Sequence, residues 1–214
     1  MFGRNSAPSC KLELINHYLC LLHKKDSMAK KRKGASFFKE FLKERKTVGS
    51  IAPSSRYLSR RMIAKVDFSE AKAIVELGPG TGPITKEIVK RLNPDTQLLI
   101  FEMNSEFVEK FLQFDQPNIH VINDSAEHIG KYMEKYGIEK VDYIISSLPL
   151  TNFPPELKER ILDESIRSLK TGGVYMQYQY MTTAFKLLKS KFQKVRLQYA
   201  PFNIPPAFVY TCYT

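Results

Sequence analysis

Cysteine is scarce in this chain: Cys10, Cys20 and Cys212 are its only three, scattered and without a C-x-x-C spacing. That excludes a disulfide framework and a zinc site, so no metal is expected and a reducing compartment fits best. Long apolar runs are missing too. The best one, residues 15–22, is broken by Asn16 and His17 and falls far short of the roughly 20 residues of a membrane-spanning helix. With no small-residue cleavage site behind it, it is also a poor signal peptide. There is no internal repeat, and no low-complexity tract beyond the basic run Lys30–Lys33.

Acidic residues are few at the start of the chain. Residues 1–65 hold 16 Lys/Arg against 4 Asp/Glu, whereas residues 66–214 hold 17 against 18. A nearly neutral body therefore follows a strongly basic arm. Such an arm meets the phosphates of nucleic acid or of an anionic membrane, a solvated tail being the alternative. Met28 opens Met-Ala-Lys-Lys-Arg-Lys, which reads as a natural start. Residues 1–27 are thus an expected non-essential extension, 28–65 a basic amphipathic arm, and 66–214 the catalytic domain. Within the arm, residues 36–48 read as a helix with Phe37, Phe38, Phe41 and Leu42 on one side and lysines on its flanks. Gly49 and Pro53 break it, and Ser54 and Ser55 can cap a second helix from Arg56 to about Lys65.

From residue 73 the pattern alternates. Strands are expected at 73–77, 97–101, 119–122, 141–146 and 174–180. Helices are expected at 83–92, 105–112, 126–136, 155–169 and 183–192, with Thr171-Gly172-Gly173 ending the fourth. The fold class is α/β: a doubly wound, mostly parallel sheet covered by helices on both faces. Two last strands, 195–202 and 208–213, are joined by too short a link for anything but an antiparallel hairpin.

Val75-Glu76-Leu77-Gly78-Pro79-Gly80-Thr81-Gly82 lies where the first strand gives way to a helix. Its glycines let the chain turn sharply and let a ligand lie against bare backbone. The spacing is G-x-G-x-G, with Pro83 where a dinucleotide fingerprint has its third glycine. A ligand whose amino-acid part crosses the loop suits this better than a pyrophosphate. Glu102 ends the second strand, where a carboxylate can accept from ribose hydroxyls, and Asp124 ends the third, where one can take an adenine amine.

Glu76-x-Gly78-x-Gly80-x-Gly82, Glu102, Asp124 and the terminal hairpin together resemble the class I AdoMet-dependent methyltransferases, over about residues 50–214. The resemblance implies S-adenosyl-L-methionine as cofactor. It would be held by Glu76, Gly78, Pro79, Gly80, Thr81, Gly82, Glu102, Met103, Asp124, Ser125 and Ser146, with Ser54 and Ser55 at the methionine end. A narrower resemblance is carried by Phe41-Leu42, Val48 to Arg56, Ser147-Leu148-Pro149-Leu150 and Pro205-Pro206-Ala207-x-Val209-Tyr210. These are similar to the bacterial phospholipid N-methyltransferases, which methylate phosphatidylethanolamine and, in close relatives, ornithine lipids.

The competing class is the ribosomal RNA adenine dimethyltransferases, which resemble this chain in the glycine loop. After strand four they carry Asn-(Leu/Ile)-Pro-(Tyr/Phe), whose asparagine side chain and proline carbonyl hold the amine while the aromatic ring stacks on the flipped base. Here Ser147 and Leu150 stand in those places. Those enzymes also add a helical C-terminal domain, whereas here the sequence stops at Thr214, on its last strand. The lipid reading therefore leads, with nucleic acid an unlikely partner. An anionic membrane surface and an aminolipid are then the expected partners, and peripheral attachment to the inner face of the membrane the expected location.

Methyl transfer needs alignment, water exclusion and an unprotonated amine, with no covalent enzyme intermediate. Aromatic faces can stabilise the cationic product by about 0.5–2 kcal/mol each. Candidates are Tyr57 and Tyr180 as catalytic residues, with Phe153, Tyr178 and Tyr210 beside them. Alternation in Gln177-Tyr178-Gln179-Tyr180 places the tyrosines on one face and the glutamines on the other. Ser147, Leu148 and Pro149 are expected to line the acceptor side. Arg56, Arg60 or Arg61 would meet the lipid phosphate.

Overall fold

The computed structural model describes residues 56–114 and 116–214. The extension, the expected helix over 36–48, Ser54 and Ser55 lie outside the described residues. Helix α1 (Arg56–Met62) comes first, then β1 (Ala73–Leu77), α2 (Pro83–Val89), β2 (Gln97–Phe101), α3 (Ser105–Phe111) and β3 (Ile119–Ile122). A 3₁₀ turn (Ala126–His128) leads into α4 (Ile129–Lys135) and β4 (Val141–Ser146), and a second (Leu150–Asn152) into α5 (Pro155–Ser168) and β5 (Leu169–Gln179). A third (Thr182–Ala184) precedes α6 (Phe185–Lys191), and the hairpin β6 (Lys194–Ala200) and β7 (Ala207–Tyr213) follows.

The seven strands form one sheet in the order β3-β2-β1-β4-β5-β7-β6. Strands β1 to β5 are parallel, and β7 runs antiparallel between β5 and β6. All five residues of β1 are buried, as expected where helices cover both faces of a parallel sheet. One face packs Ile74, Leu98, Ile100, Ile145, Met176, Tyr178 and Val209 against Leu58, Met62 and Ile63 of the α1 region and Ile84 and Ile88 of α2. The α1 segment is therefore part of the same core as residues 66–214.

The strand order reverses between β1 and β4, which opens a crevice at their carboxyl ends. That switch point places the glycine loop after β1 beside the Ser147–Leu150 segment after β4. The two loops touch closely: a Cβ on Gly78 would meet Leu148 Cδ2 at 2.7 Å.

One boundary differs from expectation. Thr171-Gly172-Gly173 does not end a helix ahead of β5; it is an excursion inside the strand. Leu169 already pairs with Val141, the ladder then slips, and Val174 rejoins it opposite Tyr143. Gly172, at φ 72°, turns the exposed residues back so that hydrophobic Leu169 and Val174 both stay buried.

Candidate functional site

The glycine loop is held by its own backbone. Gly78 N–H donates to Phe101 O at 2.8 Å and Gly82 N–H to Pro79 O at 3.0 Å. Gly78, Gly80 and Gly82 all have positive φ. The three differ in what surrounds them. A Cβ at Gly82 would meet the Phe111 ring at 2.6 Å, and one at Gly78 would meet Leu148, so these two let neighbours pack. Gly80 has nothing within 4 Å of that position. Its bare backbone faces open space at the switch point, a cradle for a ligand. Pro79 is buried and Thr81 exposed on either side.

Glu76 lies under this cradle, fully buried on the α1/α2 face of β1. Neither carboxylate oxygen has a hydrogen-bond partner of good geometry, and Thr85, through its hydroxyl and backbone N–H, is the donor that bears on the carboxyl. A buried carboxyl with so few donors is an expensive thing to keep unless a ligand supplies more. The primary ammonium of an amino-acid-bearing cofactor would do so. Burial pushes the Glu76 carboxyl up to about 8, with the Glu102 charge adding to the rise and Thr85 opposing it.

A pH prediction follows. Glu76 binds its proton more tightly folded than unfolded, where it titrates near 4.5. Its contribution to stability is fully present below the unfolded value and is lost as pH rises towards 8. Urea unfolding of the ligand-free protein should show stability falling from pH 5 to pH 8 by more than in Glu76→Gln, with the variant the more stable at the alkaline end. Parallel pH profiles for the two proteins would contradict this environment for Glu76.

Glu102, 2% exposed, closes the crevice from the β2 side. Its Oε2 accepts from Gly80 N–H at 3.0 Å and its Oε1 from Asn104 N–H at 2.9 Å. The carboxylate expected at the ribose thus also fixes Gly80, the loop glycine whose Cβ position is open. Met103 follows it half-buried, and the Asn104 side chain caps α3 by accepting from Glu106 N–H.

Asp124 is buried at the end of β3. It accepts from Ser125 N–H and Tyr132 OH and lies 3.1 Å from His128 Nδ1, with Lys131 Nζ at 3.7 Å. Burial works to raise its carboxyl, but the Ser125 N–H and His128 outweigh it and hold the group below its ordinary value. A charged, oriented carboxylate is the right acceptor for an amine. The sequence alone did not indicate His128 and Tyr132 as its holders; their spacing of four and eight residues from Asp124 was the only signal.

On the β4 side, Ser146 Oγ accepts from Leu148 N–H at 3.3 Å, and Ser147 N–H donates to Leu77 O at 2.8 Å. The Leu148 carbonyl accepts from both Gln177 Nε2 at 2.9 Å and Gln179 Nε2 at 3.0 Å. Tyr175 OH in turn donates to Gln177 Oε1 at 2.8 Å. The glutamine face of β5 therefore clamps the acceptor segment, a role the alternation did not reveal. Pro149 O accepts from Asn152 N–H, while Leu150 is completely buried and Phe153 nearly so.

The aromatic candidates divide. Tyr178 and Tyr180 pair edge-to-face, with ring centroids 5.8 Å apart, on the face that also carries Glu76 and the core-facing side of α1. Tyr57 of α1 packs on that cluster. Tyr210 is opposite Gln177 in the ladder and so lies on the other face, near Phe185. The five are not brought together as one cage. Arg56 and Arg60 are exposed on α1, each within 4 Å of Glu87, and Arg61 lies over the Tyr57 ring at 5.0 Å.

A family model described as a methyltransferase domain matches residues 74–173. The chain is 32% identical over 181 residues to the ornithine lipid N-methyltransferase of Singulisphaera acidiphila, covering 82% of this chain and 93% of that protein. It is 29% identical over 140 residues to ribosomal RNA small subunit methyltransferase A of Mycoplasma mycoides, spanning 63% of this chain but only 49% of that relative. Among solved structures it is similar to the N-methyltransferase NodS of Bradyrhizobium japonicum in complex with S-adenosyl-L-homocysteine. There the TM-score is 0.57 and the identity 10%, over 74% of this chain and 87% of that one. A likeness at such identity concerns the fold.

Proposed function

The chain belongs to the class I AdoMet-dependent methyltransferases, and from that premise we propose that it methylates the amine of a membrane-lipid headgroup. The observation that carries this reading is the acceptor segment. Leu150 stands where an adenine methyltransferase presents a stacking ring, and it is buried with no face towards a ligand. The Leu148 and Pro149 carbonyls are engaged within the protein by Gln177, Gln179 and Asn152. Among the described residues of this segment, none presents an exposed aromatic ring on which a base could stack. The similarity to a lipid N-methyltransferase along nearly its whole length supports the same conclusion.

AdoMet supplies an electrophilic methyl group on a sulfonium. The Gly80 backbone, Glu76, Glu102 and Asp124 would hold it. The protein's further task is to admit an unprotonated amine and exclude water. Tyr178 and Tyr180, with Tyr57 nearby, offer aromatic faces on the same side of the sheet as Glu76, where an alkylated ammonium gains about 0.5–2 kcal/mol per ring. The basic arm, with Arg56 and Arg60, would hold the enzyme to an anionic membrane by screenable attraction, about 1 kcal/mol per basic side chain at the surface. Among the described residues no helix is long and apolar enough to cross a membrane.

We assign phosphatidylethanolamine as the headgroup, with ornithine lipid, the substrate in the relative's name, as the second reading. Vesicles containing one or the other, incubated with AdoMet, separate them by mass spectrometry of the recovered lipid. Phosphatidylethanolamine should gain one methylene's mass per transfer. Gain confined to ornithine lipid would move the assignment to the second headgroup, and gain in neither would remove the lipid reading.

A further inference from the structure

The link between β6 and β7 buries its polar residue and exposes its apolar ones. Asn203 is 1% exposed, and its Nδ2 donates to Pro205 O at 2.7 Å. Phe202 and Ile204 on either side of it are 76% and 79% exposed. A loop of an ordinary solvated surface does the reverse. Asn203 anchors the turn from within, so the outward set of its two neighbours is built in.

The topology decides where this loop lies. Strand β5 is parallel to β1 and β4, so its last residue, Gln179, is at the carboxyl edge of the sheet. Gln179 is opposite Phe208, and Ala207 is opposite Ala200, which puts residues 201–206 at that same edge. This is the edge that carries the cofactor cradle. Met181, 65% exposed, leaves β5 there as well. The Phe202 ring packs edge-on against Tyr57 at 5.3 Å, and Arg61 lies over Tyr57. The exposed Phe202 tip thus adjoins Tyr57 and Arg61 of α1, the short helix that also exposes Arg56 and Arg60 beside Glu87. Apolar tips with a cationic collar complement an anionic lipid surface, where the tips enter the acyl boundary and the arginines meet phosphates.

We propose that the β6–β7 loop is a membrane wedge: Phe202 and Ile204, with Met181 beside them, insert into an anionic bilayer and seat the carboxyl edge of the sheet on it. This rests on the reading of the substrate as a membrane lipid and adds the surface by which the crevice reaches it. The occupant is the bilayer itself, not a second copy or a protein partner.

The experiment uses the full chain and Phe202→Ser/Ile204→Ser, sedimented with vesicles of phosphatidylglycerol and phosphatidylethanolamine at high salt, where electrostatic attachment is screened. Both positions are exposed, so the variant should keep its melting temperature and its AdoMet affinity by calorimetry. Its vesicle partition should fall about tenfold or more. Methylation of vesicle lipid should fall with it, while a short-chain, water-soluble form of the same aminolipid is methylated as before. Wild-type-like sedimentation of the variant overturns the wedge, even if lipid methylation stands. Unchanged vesicle binding with loss of a concentration-dependent dimer would also overturn it, making the patch an interface between copies. If no lipid amine is methylated in either form yet binding still depends on the loop, the wedge stands and the substrate reading fails by itself.

Discussion

Gly80→Arg is expected to abolish AdoMet binding in a protein that still folds. Gly80 has φ +59°, a conformation that costs an L-residue about 1–2 kcal/mol. That strain alone is survivable. The larger effect comes from position, since a side chain at Gly80 projects into space that no protein atom within 4 Å occupies. The long guanidinium would fill the cradle and set a positive charge against a cationic sulfonium. Affinity should drop by roughly 100-fold or more, equivalent to about 2.7 kcal/mol. Gly78 and Gly82 make the contrast. There even a methyl group strikes Leu148 or Phe111, so alanine variants should lose stability before they lose binding selectively. Calorimetry with AdoMet, alongside thermal unfolding, separates the two kinds of glycine. Gly80→Arg binding within threefold of wild type would remove the loop as the cofactor site.

Glu102→Ala should cost a comparable amount by a different route. The carboxylate accepts from Gly80 N–H through one oxygen and from Asn104 N–H through the other. Removing it strands two backbone donors at the mouth of the crevice and deprives the ribose of its acceptor. Hydrogen bonds to a charged group are worth about 1.5–3 kcal/mol each. Binding should therefore weaken about 100-fold. Glu102→Gln retains one acceptor oxygen and is expected to fall between alanine and wild type. Equal affinities for Glu102→Ala and wild type would show that ribose is bound elsewhere.

Much of this site was legible because one physical rule, a turn from strand to helix at a switch point, leaves a dense trace. Gly78, Gly80 and Gly82, with acidic residues at the ends of β2 and β3, mark three successive strand ends, and the strands they end were readable to the residue. The β5 start was not, because Thr171-Gly172-Gly173 signals a turn without saying whether it interrupts a helix or a strand. Leu169 pairing with Val141 decided that, and pairing is a tertiary fact. The glutamine clamp was half legible: alternation separated Gln177 and Gln179 from the tyrosines, but their shared target, the Leu148 carbonyl, comes from another strand's loop. Asn203 was illegible altogether, since polar residues in loops ordinarily face water.

The central claim is that this methyltransferase acts on a lipid amine. It is tested most directly by supplying AdoMet carrying a labelled methyl group to the purified protein, in parallel with aminolipid vesicles and with small ribosomal subunits. After extraction, the account predicts label in the lipid headgroup, growing with time, and none in the RNA. Label in RNA adenine, with the lipid extract blank, would contradict it.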